Sequence, residues 1–267
     1  MDKIAIISDI HGNITALNAV LEDINKRNID KIFCLGDCVT KCTHPDLVID
    51  RIREVCEIII MGNCDYTICK PESKDKNHWS RNIIGEERAQ FMAGLPVSYE
   101  FYMSGHLIRL FHASPYNLTE IYNPMFSNKN SNYSHLEIDT PDRLFENTEF
   151  IGKTDKDPTP DIVGFGHIHT PCLVRYKNKT IFNPGSVGVP VEMNNNNIHD
   201  ETNKFSTLAS YTIVEGYYGK KDLDTISFNS VRVPYNIEKE VEDLRNSDMP
   251  SKEVIIRTLT SAIPNNI

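Results

Sequence analysis

Short apolar segments alternate with longer amphipathic segments in the first third of the chain. The apolar segments IAIIS, KIFCL and EIIIM have the length of buried strands. The first segment between them carries apolar residues at the spacing of one helix face: Ile14, Leu17, Leu21 and Ile24. The second begins at Pro45, and proline is tolerated in the first turn of a helix because the N–H that it lacks has no partner there. This alternation predicts parallel strands covered by helices, which is an α/β fold.

After the first three strands, the predicted strands follow one another directly. YEFYM and LIRLF flank Ser104-Gly105 and predict a hairpin, and DIVGF, LVRY, TIFN and DTISFNSVRV predict further strands. Helical spacing returns over residues 237–245 and 251–262. The parallel arrangement therefore gives way to a mixed sheet, and residues 1–267 are predicted to form one α/β domain.

Two polar stretches interrupt the pattern. Residues 116–160 are rich in Asn, Thr and Asp, and they show no sustained periodicity apart from a short helix predicted over 141–146. We expect this stretch to be a lid-like insertion within the domain. The second stretch, 192–205, contains a run of asparagines and is predicted to be a solvated loop.

Composition excludes several classes of protein. A chain of 267 residues, of which 40% are apolar, can bury a full core. Its apolar runs are far shorter than the roughly 20 residues that cross a bilayer, and its first residues lack the pattern of a secretory signal. Seven scattered cysteines favour a reducing compartment, so we expect a cytoplasmic protein. The net charge of −9 argues against a cationic surface for nucleic acid or membrane, and the oligomeric state is left open.

Five polar motifs stand at the downstream ends of predicted strands. They are Asp9-Ile10-His11, Gly36-Asp37, Gly62-Asn63-Cys64-Asp65, His112 and Gly166-His167-Ile168-His169. The carboxyl ends of parallel strands line one crevice, so residues that are distant in sequence can meet there. The glycines in front of three of these motifs fit a sharp exit from the strand.

The donor set of these motifs predicts a metal site. Two Asp, one Asn and four His combine oxygen and imidazole ligands, which suit Mn²⁺, Fe, Zn²⁺, Ni²⁺ or Co²⁺ better than Ca²⁺; we favour Mn²⁺. Seven candidates are too many for one ion. Two ions about 3.5–4 Å apart can hold a hydroxide and clamp the oxygens of an in-line displacement at phosphorus. The sequence therefore predicts hydrolysis of a phosphate ester.

The order of the motifs resembles the calcineurin-like metallophosphoesterase family, whose pattern runs D-x-H, G-D, G-N, an isolated H and G-H-x-H. The segments VTKCTHPDLVID, NPGSVGVP and RVPY resemble features of a bacterial phosphodiesterase-like branch of this family. The resemblance implies a two-sheet mixed β-sandwich flanked by helices. It also implies two metal-ion sites that share Asp37 as a bridge. One would be held by Asp9, His11, Asp37 and His169, and the other by Asp37, Asn63, His112 and His167.

One position departs from the family pattern. Many members have His after the Asn of the third motif, where it can protonate the leaving group, whereas this chain has Cys64. A thiol with an ordinary pKa near ~8.5 is a poorer acid for that step. Water bound to the metal, or His44 or His78, could serve instead, and both histidines are candidates for substrate binding. Asp65 could either hydrogen-bond the site or cap the next segment.

The candidate catalytic residues are therefore Asp37, Asn63, Cys64 and Asp65. Relatives that resemble this chain in having Cys at position 64 tend to be described as phosphodiesterases. We therefore expect a small phosphorylated substrate, and nucleotides such as dinucleoside polyphosphates are among the candidates. Two alternatives remain. One is a phosphomonoesterase on the same dinuclear site. The other is a non-catalytic interaction module, and the main argument against it is that all seven ligand positions are filled. Taken singly, His112 could be a structural histidine and Asn63 a turn residue.

Overall fold

The computed structural model describes residues 1–29, 31–69, 78–120, 122, 138, 140–192 and 204–261, with the backbone alone at 78, 192, 204, 205 and 261. The strands in chain order are β1 (Asp2–Ile7), β2 (Lys31–Cys34), β3 (Ile58–Ile59), β4 (Ser98–Met103), β5 (His106–Phe111), β6 (Ile162–Phe165), β7 (Cys172–Tyr176), β8 (Lys179–Asn183), β9 (Val191–Glu192), β10 (Lys204–Phe205), β11 (Leu208–Gly216) and β12 (Ser227–Pro234). The helices are α1 (Ile14–Lys26), α2 (Pro45–Val55), α3 (Asn63–Cys69), α4 (His78–Ala93), α5 (Ile237–Asn246) and α6 (Lys252–Ser261).

The strands form two five-stranded mixed sheets. The first has the order β12-β11-β1-β2-β3, in which β1, β2 and β3 are parallel. The second has the order β4-β5-β6-β8-β7, in which β5, β6 and β8 are parallel. Antiparallel strands complete the second sheet at both edges and the first sheet at its β12 edge, so both sheets are mixed, as the sequence pattern predicted.

Apolar side chains fill the space between the two sheets. Ile4 and Ile6 of β1 point into this layer with Phe33 of β2, and they meet Ile108 of β5 and Phe182 of β8 from the second sheet. Alternate residues of the same strands face the other way. They pack under α1, α2 and α4 in a separate buried cluster that covers the outer face of the first sheet. The two-sheet α/β sandwich flanked by helices is thereby confirmed.

Two helices were not predicted from the sequence. Helix α3 is short and starts inside the third motif, where polar residues conceal any apolar face. Helix α4 is interrupted at Gly85, whose φ of 70° and ψ of 179° are not helical, so the apolar spacing of its two halves does not follow one period. The short strand β10 lies inside the predicted 192–205 loop, most of which is outside the described residues.

The described part of segment 116–160 packs against the second sheet. Two 3₁₀ helices occur at Pro141–Phe145 and Glu149–Ile151, and Leu144 and Phe145 are buried beside Phe165 of β6. The fully buried Arg109 of β5 ties this part down, because its guanidinium donates to the carbonyl of Glu146 and to Asn147. Residues 121, 123–137 and 139 lie outside the described residues, so the lid function and the single-domain boundary remain predictions.

Within the described residues, no helix combines the length and the apolar character that crossing a membrane requires.

Candidate metal centre

The parallel strands of both sheets end at one edge of the sandwich. Asp9 and His11 follow β1, Asp37 follows β2 and Asn63 follows β3 in the first sheet. From the second sheet, His112 follows β5, and His167 and His169 follow β6. The structure brings all seven predicted side chains together there, in groups whose ligand atoms lie close to one another.

The first group joins Asp9, His11 and His169. Oδ1 of Asp9 lies 3.4 Å from Nε2 of His169 and 3.9 Å from Nε2 of His11. The two imidazole Nε2 atoms are 3.0 Å apart. Asp9 and His11 are fully buried, and His169 is 7% exposed.

The second group joins Asp37, Asn63, His112 and His167. Nε2 of His112 lies 3.4 Å from Oδ1 of Asp37. The carboxamide oxygen of Asn63 lies 3.0 Å from Nε2 of His112, 3.0 Å from Nδ1 of His167 and 3.3 Å from Oδ2 of Asp37. The other group is also within reach of Asp37, whose Oδ2 is 3.7 Å from Nε2 of His11. Asp37 therefore lies between the two groups.

Backbone carbonyls set the tautomer of three of the histidines. Nδ1 of His11 faces the carbonyl of Val39 at 3.1 Å, Nδ1 of His112 that of Leu35 at 2.7 Å, and Nδ1 of His169 that of Val189 at 2.8 Å. A carbonyl oxygen can only accept, so each Nδ1 carries the hydrogen and each Nε2 directs a lone pair into the site when the ring is neutral. The same outer hydrogen bond orients most histidine ligands of metals.

Several of these acceptor atoms face other acceptors, and too few hydrogen atoms lie between them to form hydrogen bonds. The facing Nε2 atoms of His11 and His169 are both acceptors that share the ammonium of Lys41 as a donor, and the Asn63 oxygen points only at acceptors. Turning the Asn63 amide by half a turn would place its NH₂ there, but the buried Oδ1 of Asp9 would still have no hydrogen-bond partner. Cations at the centre of each group satisfy all of these atoms at once. The residues therefore fit divalent metal ions.

The electrostatics of the site favour anionic carboxylates and, at His11 and His167, neutral imidazoles. Burial would raise the pKa of Asp9, but His169 and the other nearby histidines outweigh it and hold that pKa well below its ordinary value. Burial and the Lys41 ammonium lower the pKa of His11, and burial together with His112 lowers the pKa of His167 to about 4. Burial also opposes the charged form of His112, yet Asp37 and Asp9 raise its pKa. A metal ion needs anionic carboxylates and neutral imidazoles, so at His112 it would take the place of the proton that the two carboxylates favour.

Unusual backbone conformations present these side chains. Asp9, His11, Asp37, His167 and His169 all have left-handed φ values, between 52° and 67°. Such values are uncommon outside glycine, and each costs about 1–3 kcal/mol unless the surroundings offset it. Strained residues of this kind are concentrated at functional sites. There the left-handed backbone orients side chains in directions that a regular strand would not give them.

Comparison with known proteins identifies the family. Residues 2–203 match the model of the calcineurin-like phosphoesterase superfamily domain. This chain belongs to the calcineurin-like phosphoesterase superfamily. It is also 32% identical over 255 residues to an uncharacterized protein of Methanocaldococcus jannaschii, an alignment that covers 92% of this chain and 93% of the relative.

Two solved structures share the fold. A metallophosphoesterase from Sphaerobacter thermophilus matches with a TM-score of 0.66 at 21% identity, over 98% of this chain and 99% of that chain. A hypothetical protein from Pyrococcus horikoshii matches with a TM-score of 0.70 at 18% identity, over 97% of this chain and 98% of that one. At these identities the likeness establishes the fold alone.

In this superfamily member, Asp65 holds the loops that carry the ligands. Its carboxylate accepts the N–H of Asp37 at 2.8 Å, of Cys38 at 2.9 Å and of Gly62 at 3.0 Å. Burial and the nearby charge of Asp37 raise the pKa of Asp65 to about 7, against the effect of the N–H donors. Asp65 therefore links the end of β2 to the end of β3.

Cys64 borders the site through its backbone and its thiol. Its N–H donates to Oδ1 of Asp37 at 2.8 Å, and its Sγ lies in a group with the ligand atoms of His11 and Asp37. Burial, together with the charge of Asp37, raises the pKa of the Cys64 thiol well above its ordinary value. The thiol is therefore neutral at physiological pH and poorly suited to proton transfer.

The remaining candidates occupy other positions. His44 turns towards α5, where its Nε2 lies 3.5 Å from Oδ2 of Asp243, and the side chain of His78 is outside the described residues. Their part in substrate binding remains a prediction.

The five sequence motifs do not include two residues that lie at the site. They are Ser186, whose hydroxyl donates to the carbonyl of Asp9 at 2.7 Å, and Lys41, whose Nζ lies 2.9 Å from Nε2 of His11. The signal for Lys41 is a basic residue in the loop directly after Asp37.

Proposed function

We propose that this chain is a hydrolase that cleaves phosphodiesters with two divalent metal ions, Mn²⁺ being the best candidate. The observation that carries the proposal is the convergence of carboxylate and imidazole ligand atoms from both sheets, with Asp37 placed between the two groups. Such pairs of ions neutralise the charge of the phosphate and lower the pKa of the attacking water. The family to which the chain belongs supports hydrolysis of phosphoesters.

Each residue has a defined part in this proposal. Asp9, His11, Asp37 and His169 would hold one ion, and Asp37, Asn63, His112 and His167 the other. Asp65 keeps the Asp37 and Asn63 loops in register through its three backbone hydrogen bonds. Because burial and the charge of Asp37 raise the pKa of the Cys64 thiol, the thiol is a weak acid, and another donor would protonate the leaving group.

The preference for diesters is based on Cys64, which stands where many relatives carry a proton-donating histidine. It predicts small substrates that hold a phosphate between two groups, including dinucleoside polyphosphates. The relevant assay compares bis(p-nitrophenyl) phosphate with p-nitrophenyl phosphate on Mn²⁺-loaded protein. We expect a higher kcat/KM for the diester.

Two outcomes would contradict the proposal. Faster hydrolysis of the monoester would show a phosphomonoesterase on the same ligands. Protein that binds no metal by elemental analysis, and that hydrolyses neither ester, would indicate a non-catalytic interaction module.

A further inference from the structure

Lys41 reaches into the candidate metal centre from the loop between β2 and α2. Its Nζ lies 2.9 Å from Nε2 of His11 and 3.4 Å from Nε2 of His169. None of the five sequence motifs includes this residue. An ammonium group in contact with two candidate ligands places a positive charge at the site.

The backbone of this loop is bent in a way that directs Lys41 inwards. Thr40 has a φ of 72° and Lys41 a φ of 64°, and a left-handed conformation is a genuine outlier for a β-branched residue such as threonine. The loop is fixed on both sides, because the N–H of Cys42 donates to the carbonyl of His11 at 2.8 Å and the ring of His11 contacts Thr40 Oγ1 at 3.3 Å. Strained residues persist only where the surroundings enforce them.

Lys41 lies on the open side of the site. Asp9, His11, Asp37 and His112 are buried at its base. Thr40, Lys41, Asn63, Cys64 and His167 are half-exposed at its mouth. The side chain of Lys41 therefore lies at the mouth through which a substrate would reach the metal ligands.

The charge of Lys41 suits a phosphate better than it suits a metal ligand. Divalent ions on His11 and His169 would take the lone pairs that Nζ now approaches, and they would repel the ammonium. The flexible four-carbon side chain can turn towards the mouth, where the phosphate of a substrate carries negative charge. We propose that Lys41 is a substrate-binding residue whose ammonium pairs with a non-bridging oxygen of the substrate phosphate. This inference rests on the proposed metal-dependent function.

The test measures anion binding directly. Isothermal titration calorimetry with inorganic phosphate would compare Mn²⁺-loaded wild-type protein with Lys41→Met and Lys41→Arg. We expect Lys41→Met to raise the dissociation constant of phosphate about tenfold or more, the effect of losing one charge-assisted hydrogen bond, and Lys41→Arg to raise it less. Metal content per chain should be the same in all three.

The matched control is Lys31→Met. Lys31 begins β2 at the opposite end of the strand from the metal site, where it pairs with Glu57. This variant removes the same charge from a position far from the metal ligands. It should leave phosphate affinity unchanged, because the inference depends on where Lys41 lies and not on the total charge. Lys41→Gln provides a second neutral variant, and circular dichroism checks that each variant is folded.

Four results would overturn the inference. A Lys41→Met protein with full metal content and unchanged phosphate affinity shows that the ammonium does not bind the anion. A variant that loses metal shows that Lys41 supports the ligands instead. Wild-type protein that holds metal but binds no phosphate removes the inference alone, whereas wild-type protein that holds no metal removes the proposed function first and the inference with it.

Discussion

Asp37 is the residue on which both ligand groups depend. Its two carboxylate oxygens face His112 on one side and His11 on the other, at 3.4 Å and 3.7 Å. Asp37→Asn keeps the shape but removes the charge that both ions would share. Since mutations that only orient metal ligands already cost about 10–100-fold, we expect activity to fall by at least ~10²-fold and metal content to drop.

Elemental analysis and the bis(p-nitrophenyl) phosphate assay check this prediction. Asp222→Asn is the control, because it removes the same charge from an exposed residue remote from the motifs. If Asp37→Asn retained both metal and activity, the two-ion interpretation would be wrong.

Cys64 lies beside Asp37 but holds its proton firmly. Because burial and Asp37 raise its pKa, we expect Cys64→Ala to keep kcat for bis(p-nitrophenyl) phosphate within about tenfold of wild type. General acids contribute roughly 10²–10⁴-fold, so a loss of that size would show that the thiol transfers a proton after all. Steady-state kinetics on matched, metal-loaded samples decide between these outcomes.

At the scale of elements, the end of β3 must pass close to the end of β2. A Cβ added to Gly62 would lie 2.2 Å from both N and Oδ1 of Asp37. Gly62→Ala therefore forces the backbone at Gly62 away from the backbone at Asp37. We expect it to lower the free energy of unfolding by about 1–3 kcal/mol and to weaken metal binding. Urea denaturation and metal titration measure the two effects.

Gly94→Ala is the matched control for this change. A Cβ on Gly94 would meet its nearest atom at 3.5 Å, an ordinary contact. We expect its stability to stay within about 0.5 kcal/mol of wild type. Equal destabilisation of both variants would refute the steric explanation for Gly62.

Helix α5 docks beside the metal-site loop through a buried carboxyl group. Glu240 is fully buried, and Thr43 Oγ1 donates to its Oε1 at 3.5 Å. Burial raises the pKa of Glu240 above its ordinary value. The titratable groups that interact with it are Cys42, His44, Tyr235, Lys239 and Asp243.

The raised pKa of Glu240 gives a prediction with a definite sign. At pH values between the pKa of Glu240 in the unfolded chain and its higher pKa in the folded protein, the folded protein binds the proton more strongly. The contribution of this group to stability is therefore present at low pH and is lost as pH rises through the folded pKa. Glu240→Gln cannot ionise. It should unfold at a higher urea concentration than wild type at pH 8, and the difference should shrink towards pH 5. Glu242→Gln, exposed on the same helix, should show no such trend.

At the scale of the whole molecule, the candidate metal centre joins the two sheets. Its ligands come from β1, β2 and β3 on one side and from β5 and β6 on the other. Ions bound by the folded state alone stabilise it, by about 2.7 kcal/mol for each ion at a hundredfold excess over its dissociation constant. We therefore expect Mn²⁺ to raise the Tm by several degrees and a chelator to reverse the change.

Scanning calorimetry with and without Mn²⁺ checks this expectation. Asp37→Asn should show a much smaller response, since it removes the shared ligand. An equal response in both proteins would mean that Mn²⁺ acts elsewhere on the molecule.

The order of residues along the chain was enough to predict an α/β fold with a mixed sheet and the convergence of Asp9, Asp37 and His167 at one edge. Both follow from short-range periodicity and from the rule that parallel strands share a carboxyl edge. The division into two sheets was implied by the resemblance of the motifs to the calcineurin-like family. Helix α4 escaped prediction because Gly85 breaks its period.

Only the tertiary structure decided how the ligands are oriented and which neighbours they have. The carbonyls of Val39 and Val189 fix the tautomers of His11 and His169, yet a backbone carbonyl is the same in every residue and leaves no mark in the sequence. The approach of Lys41 to His11 depends on the left-handed bend at Thr40, which residue type alone does not favour. Distances between loops more than a hundred residues apart are set by the packing of the two sheets, because many weak contacts across the whole core combine to determine them.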